Sequence, residues 1–508
     1  MDEAYSGYLA GLNYTRGFYR ELSPHILAIA CLGRDRQGLA QGGRFTYCEL
    51  GCGQGLSTCV LAAANPRAEF YATDINPEHI SWAKELSASC DVRNVHYFEE
   101  SFGEFSDNPA IPKFDFIALH GIYSWVGDAQ RSEIKQFLLR KLNGGGVTYI
   151  SYNASPAALA ESALREVIIN VGNEVFDSVP VRISKSLDFI TRMRDVAPAF
   201  LAANPGLSSR LDQLQKDDPI YVAHEYLNRS WRPLYHHELA SEMGQARLSY
   251  VGSASLLDNL PALNLTLAQQ GFVEAVSAEP WRETLTDYMA NRRFRRDVFG
   301  RGLTSLNSPE IEAAWANRGF VLVVQPDDAA LTLQRSVRVE LRAEIYIPVI
   351  EALAMGPATV EELLQHTEVR KLGTAALREV LLVLVGAGYA EPCLTTDGIE
   401  DRVASTRRFN SAVMERARLS NEIEVLASPV TGSGITVSRF DQLFLSALNS
   451  RDDPSESAWL ALHACGQKIL KQGKPLESAE ENRVELRERF LKFERSVLPI
   501  LKRTGIAG

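Results

Sequence analysis

Phe45-Thr46-Tyr47-Cys48-Glu49-Leu50-Gly51-Cys52-Gly53-Gln54-Gly55-Leu56-Ser57-Thr58, followed ten residues later by Ala68-Glu69-Phe70-Tyr71-Ala72-Thr73-Asp74, decides how this chain is read. Residues 45–50 are short, apolar and aromatic and end in glycine, the pattern of a buried strand. Gly51, Gly53 and Gly55 form a turn, residues 57–64 a helix, and residues 68–73 a second strand closed by Asp74. Without a Cβ, such a turn lets backbone N–H groups approach a ligand closely. The helix start adds unpaired N–H donors and the positive end of its dipole. An acid at the tip of the second strand can accept both hydroxyls of a ribose. The unit suits an adenosine-bearing cofactor.

The glycine spacing narrows the cofactor. A dinucleotide fingerprint needs glycine at position 56, where Leu56 stands. Glu49 lies two residues before the first glycine; its carboxylate would repel a pyrophosphate and attract a cation such as an amino-acid ammonium. Glu49-x-Gly51-x-Gly53-x-Gly55 with Asp74 resembles the S-adenosylmethionine site of class I methyltransferases. The resemblance implies S-adenosylmethionine as cofactor, held by Glu49, Gly51, Gly53, Gly55, Asp74 and the adjoining Ile75.

A chain of 508 residues is too long for one core, and two to four domains are expected. The net charge of −10 argues against nucleic acid and anionic membrane surfaces as partners. Seven cysteines, irregularly spaced and without a C-x-x-C pair, read as reduced thiols in a cytoplasmic protein. No stretch is long and apolar enough to predict a membrane span, and no signal peptide is expected.

Around the opening unit, residues 77–88 read as a helix capped by Asn76, residues 95–98 as a third strand, 114–119 as a fourth, and 147–152 as a fifth after a helix over 130–142 that stops at the glycines 144–146. Strands alternating with helices predict an α/β, doubly wound parallel sheet. In the methyltransferase pattern the turn after the third strand holds the adenine, which assigns Ser101 and Phe102 to it. His120, Tyr123 and Trp125 follow the fourth strand and Asn153 the fifth, at the strand ends where open α/β sheets bind ligands. They are the candidates for the methyl-acceptor site, His120 also touching the cofactor. Upstream, Tyr14 and Tyr19 are candidate lid residues, with aromatic faces for a sulfonium or ammonium.

Residues 155–233 read as a polar helical cap inserted over the active-site edge. His224, Glu225, His236, His237 and Glu238 fall in or after it, but no H-E-x-x-H or equivalent appears, and no metal site is expected. Arg292, Arg293, Arg295 and Arg296 read as a solvated or salt-bridged run on a helix over 287–297, with anion binding as the other reading, and residues 320–324 as the last, antiparallel strand of the sheet. The expected domains are 1–154, the cofactor-binding core; 155–330, the cap with the final sheet strands; 335–409, a winged-helix-like module; and 410–508, a helical region. The helix over 375–385 carries only Arg378 as a cation, which favours protein contacts over DNA.

Residues 221–227, 235–238 and 291–297, with His120-Gly121-x-Tyr123-Ser124-Trp125-Val126 and Ser151-Tyr152-Asn153, resemble bacterial methyltransferases that carry a methyltransferase regulatory domain. That group includes rickettsial protein-lysine methyltransferases of outer-membrane proteins. The resemblance implies transfer of methyl groups from S-adenosylmethionine to lysines of a protein substrate, such as a surface protein before export, and leaves a homodimer open. Two other readings stand beside it: a small-molecule O- or N-methyltransferase, and a regulatory protein that binds S-adenosylmethionine as a signal.

Overall fold

A computed structural model describes residues 16–38 and 43–508, apart from residues 176, 197, 218 and 229. Tyr14 lies outside the described residues.

The opening stretch folds as strand, turn, helix, strand. β1 (Thr46–Leu50) leads through the glycines into the helix Leu56–Ala64 and then β2 (Glu69–Asp74). Every residue of β1 after the first is buried, and so is the whole following helix. A strand covered on both faces belongs inside a parallel sheet. β3 (Val95–Glu99), β4 (Phe114–Leu119) and β5 (Leu142–Asn153) extend that sheet, and β6 (Ser249–Ser253) and β7 (Phe294–Gly300) complete it. The order is β3-β2-β1-β4-β5-β7-β6, with β7 antiparallel to both neighbours. The architecture is a Rossmann-like α/β sheet followed by a helix-rich carboxyl-terminal region. Strand order reverses between β1 and β4, which opens a crevice at their carboxyl ends.

Three sequence expectations are corrected. The helix Asp128–Lys141 runs directly into β5, so the glycines expected to stop the helix already lie in the strand, beside a register shift against β4. Residues 287–297 are not one helix. The helix Glu279–Ala290 ends at Asn291, whose φ of 48° is a left-handed cap, and the antiparallel strand β7 begins at Phe294. Gly319–Leu322 is not part of this sheet; it pairs with Ala358–Thr359 and Ala390–Cys393 in a separate three-stranded sheet.

The arginine run is salt-bridged, the second of the two faces expected of it, and part of it is buried rather than solvated. Here Arg295 is 1% exposed. It pairs with Asp287 at 2.7 Å, Asp297 at 2.8 Å and Glu283 at 2.9 Å. Asp297 also accepts from the Tyr152 hydroxyl at 2.7 Å and contacts His236 Nδ1 at 2.8 Å. Burial pushes the Asp297 carboxyl up, but Arg295, His236 and Tyr152 outweigh it and hold the pKa below the usual carboxylate range. The network ties β7 to β5 and to the helices His236–Gln245 and Glu279–Ala290.

Between β5 and the helix His236–Gln245 the described residues form five α-helices, from Ser162–Asn173 to Pro219–Leu227, with an apolar core of their own that includes Leu164, Ile168, Ile183, Leu211 and Val222. The carboxyl-terminal half packs against the first: Ile399–Ala417 and the hairpin Val425–Ser428/Ser433–Thr436 lie on the helix Leu56–Ala64. Among the described residues, no helix is long and apolar enough to cross a membrane.

Candidate active site

A cavity of about 770 Å³ opens at the carboxyl ends of β1, β2 and β4, beneath the helical insertion. Its inner part is built by the glycine turn. Gly51, Gly53 and Gly55 have φ of 70°, 53° and 67°. A Cβ on Gly51 would fall 2.3 Å from Ile122 Cδ1, and one on Gly55 would fall 2.7 Å from Tyr97 Cε1. Gly53 borders the cavity, and a Cβ there would meet no protein atom within 4 Å. The turn thus offers a backbone surface where a side chain would stand. Its N–H at Gly53 donates to Asp74 Oδ2 at 2.8 Å, and Asn76 N–H donates to Asp74 Oδ1 at 2.9 Å. Turn and acid are locked together before any ligand arrives.

Glu49 sits at the end of β1, 4% exposed, and accepts from the Thr58 hydroxyl. Burial pushes its pKa up to about 7; the Thr58 bond opposes that rise and the charge of Asp74 adds to it. A buried acid held at that edge is short of a cation. Ile75 and Phe102 supply apolar surface to the same space. Ser101 also lines it, but its hydroxyl is committed to the cap of the helix Phe102–Asp107, donating to Glu104 Oε2 at 2.7 Å. Sequence reasoning left Glu100 without a role. It lines the cavity, and its Oε2 is buried with no partner among the described residues, so it suits an exocyclic amine better than Ser101 does. The signal was its place one residue after β3.

The outer part is aromatic. Tyr19 stacks on His120, ring centroids 3.9 Å apart, and His120 Nδ1 contacts the Tyr149 hydroxyl at 2.8 Å. Burial, with Arg296 beside it, pulls the His120 pKa down to about 3, which leaves the imidazole neutral. Trp125 and Asn153 both border the cavity, and Asn153 Oδ1 accepts from Trp231 Nε1 at 3.2 Å. Tyr123 does not border it. Its ring is fully buried in the core behind the wall, and its hydroxyl bonds Glu242. The turn after Gly121 sends Trp125 toward the cavity and Tyr123 away from it.

The insertion contributes residues that were not assigned to the site from sequence: Tyr221, Glu225, Tyr226 and Trp231, with Arg165 and Arg210 around them. In the sequence, the histidines and acids of residues 221–238 suggest a metal before they suggest an aromatic wall. Among the described residues, no group of three His, Cys, Asp or Glu side chains is placed to hold a metal ion.

The described site fits S-adenosylmethionine: a side-chain-free turn, a buried acid for its ammonium, a second acid for its ribose and apolar surface for its adenine. Comparison with known proteins agrees. Residues 48–148 match the family described as a methyltransferase domain, and residues 218–301 match a predicted methyltransferase regulatory domain. An uncharacterized protein of Synechocystis is 39% identical over 502 residues, covering 99% of each chain. An uncharacterized protein of Rickettsia prowazekii is 27% identical over 254 residues, covering 49% of this chain and 44% of that one. The fold is that of PKMT2 from Rickettsia typhi, solved with AdoHcy: TM-score 0.70, 16% identity, 94% of this chain and 98% of that one. The chain belongs, with its Synechocystis relative, to the S-adenosylmethionine-dependent methyltransferases that join a class I methyltransferase domain to a methyltransferase regulatory domain.

Proposed function

We propose that this methyltransferase modifies lysine side chains of a protein substrate. The observation that carries the reading is the chemistry of the outer cavity. A hydroxyl acceptor would need a far stronger base than the cavity offers, where the pKa of His120 is near 3 and that of Glu225 near 7. An amine acceptor asks for less. A free lysine has a pKa of about 10.4 and must shed one proton. A dry aromatic pocket beside a sulfonium lowers that pKa, and the rings of Tyr19, Trp125 and Trp231 line such a pocket. The cofactor supplies a methyl group on a sulfonium; the residues of this chain align the two partners and exclude water. The likeness of the whole chain to PKMT2, and of its sequence blocks to the rickettsial lysine methyltransferases, supports the same acceptor class. We read residues 335–409, with the strand Gly319–Leu322 that pairs with Ala358–Thr359 and Ala390–Cys393, as a winged-helix-like module used for protein contact.

Incubation with methyl-labelled S-adenosylmethionine and candidate acceptors tests this. Label is expected on lysines of intact protein. Label on small molecules alone, or tight cofactor binding without transfer, would overturn it.

The state of Glu49 sets a second expectation. In the free enzyme its pKa lies near 7, and a bound ammonium would lower it. Binding is therefore strongest above pH 7 and weakens as protons compete below it. Affinity should fall about tenfold per pH unit from pH 7 downward, a slope of one proton. Calorimetry with the demethylated product from pH 8.5 to 5.5 reads it. In Glu49→Gln the affinity should be low throughout and the slope gone.

A further inference from the structure

Glu225 stands on the helix Pro219–Leu227 and borders the cavity on the insertion side. Its carboxylate forms no hydrogen bond or ion pair with another described residue. The neighbouring cations are engaged elsewhere. Arg165 donates to the backbone carbonyls of Glu225 and Asn228 and lies 4.2 Å over the Trp231 ring. Arg210 donates to the Tyr226 hydroxyl at 3.1 Å and pairs with Glu161 and Asp217, each at 3.5 Å. Glu225 is partly buried at the cavity wall, and an acid so placed without a partner gains from a cation that completes it.

Its place relative to the cofactor end follows from Tyr19. After burial, the charges of Glu49 and Glu225 both push the Tyr19 hydroxyl up, so one ring lies within electrostatic reach of both acids. Glu49 belongs to the glycine turn and Glu225 to the insertion. The cavity is therefore bordered by one acid from the glycine turn and another from the insertion, and Tyr19, stacked on His120, feels the charge of both.

We propose that Glu225 is the amine-binding acid of the acceptor site: its carboxylate takes the substrate ammonium and accepts the proton that must leave before methyl transfer. The inference rests on the amine-acceptor reading above. An N–H bond breaks and its proton goes to a Glu225 oxygen. The freed nitrogen lone pair forms the N–C bond while the S–C bond breaks, and sulfur keeps that electron pair. The product is a methylated ammonium, and Glu225 returns its proton to solvent. The local charges suit this exchange. Burial pushes the Glu225 pKa up to about 7, Arg165 and Arg210 oppose the rise, and Asp217 adds to it. Tyr221, one turn earlier on the same helix, is raised to about 12, so it stays neutral near the acid. A carboxyl near 7 is a better proton acceptor than an exposed one and still mostly ionised at pH 8.

The test uses the full chain saturated with S-adenosylhomocysteine, titrated with n-butylammonium at pH 8 and followed by tryptophan fluorescence. A saturable response is expected in the wild type. In Glu225→Gln it should weaken about tenfold or more, with partial recovery in Glu225→Asp. Affinity for S-adenosylhomocysteine should change less than about twofold in either variant, which checks folding. No saturable response in the wild type, or an equal one in Glu225→Gln, would overturn the assignment. Binding without methyl transfer to any lysine would sink the lysine reading and leave this site standing. Lysine transfer by Glu225→Gln at the wild-type kcat/KM would do the reverse.

Discussion

Replacing Asp74 with alanine should weaken S-adenosylmethionine binding by roughly 30- to 1000-fold, about 2–4 kcal/mol. The carboxylate has two tasks. In the structure it holds the glycine turn, accepting from the N–H groups of Gly53 and Asn76. In the complex it would also accept from the ribose hydroxyls. Hydrogen bonds to a charged group contribute about 1.5–3 kcal/mol each, and alanine removes both the ligand contact and the anchor of the turn. Asp74→Asn separates the two. One side-chain oxygen remains to accept, but the amide turns a donor toward a backbone donor, so a loss near that of alanine is expected if the turn matters most. Calorimetry with S-adenosylhomocysteine reads the affinity, and a thermal melt of the free protein reports whether the fold survives. Affinity within threefold of wild type would remove Asp74 from the cofactor site.

That result bears on how much the sequence disclosed. The glycine turn and its two acids were legible because their requirements are local. Glu49, the three glycines and Asp74 are close in sequence, and each is fixed by its own backbone: positive φ at the glycines, a strand end for each acid. The outer part of the cavity, where we place the acceptor, was less legible because it is assembled across long distances. Trp231 meets Trp125 and Asn153 from elements far apart in the chain, and Glu225 reaches the cavity only through the folding of the insertion. Tyr123 and Trp125 differ by two residues yet face opposite sides of the wall, because the turn after Gly121 has no strand period to read. The misreading of β7 has a different origin. Arg295 and Asp297 alternate with Phe294, Arg296 and Val298 along the strand, and a buried ion network conceals the alternation that apolar residues would have shown.

That network sets the largest stability effect expected of a single substitution here. Arg295→Met should destabilise the protein by about 3–5 kcal/mol at neutral pH, because removing one partner of a buried ion network leaves uncompensated charge. Two carboxylates, Asp287 and Asp297, are completely buried against it. Asp287 would keep Arg292 at 3.0 Å, and Asp297 would keep His236 and Tyr152, so the loss stops short of two free buried charges. The pH dependence carries the sign. In the wild type the pKa of Asp297 is depressed, so its contribution is present above the unfolded carboxylate pKa of about 3.9 and is lost as pH falls through the lower folded value. Without Arg295, burial dominates and the folded pKa rises above the unfolded one. The variant then loses stability as pH rises, and the gap to wild type should be wider at pH 8 than at pH 5.5 in urea unfolding. An equal gap at both would mean that lost packing, not stranded charge, is the cause. Activity should fall with it, because β7 pairs Phe294 with Asn153 and both border the cavity. Replacing the polar set together by apolar residues of similar volume should recover much of the stability, since it strands no charge. If that variant still binds S-adenosylhomocysteine but transfers methyl slowly, the network's function is to place β7 at the acceptor end, and the stability it contributes is incidental.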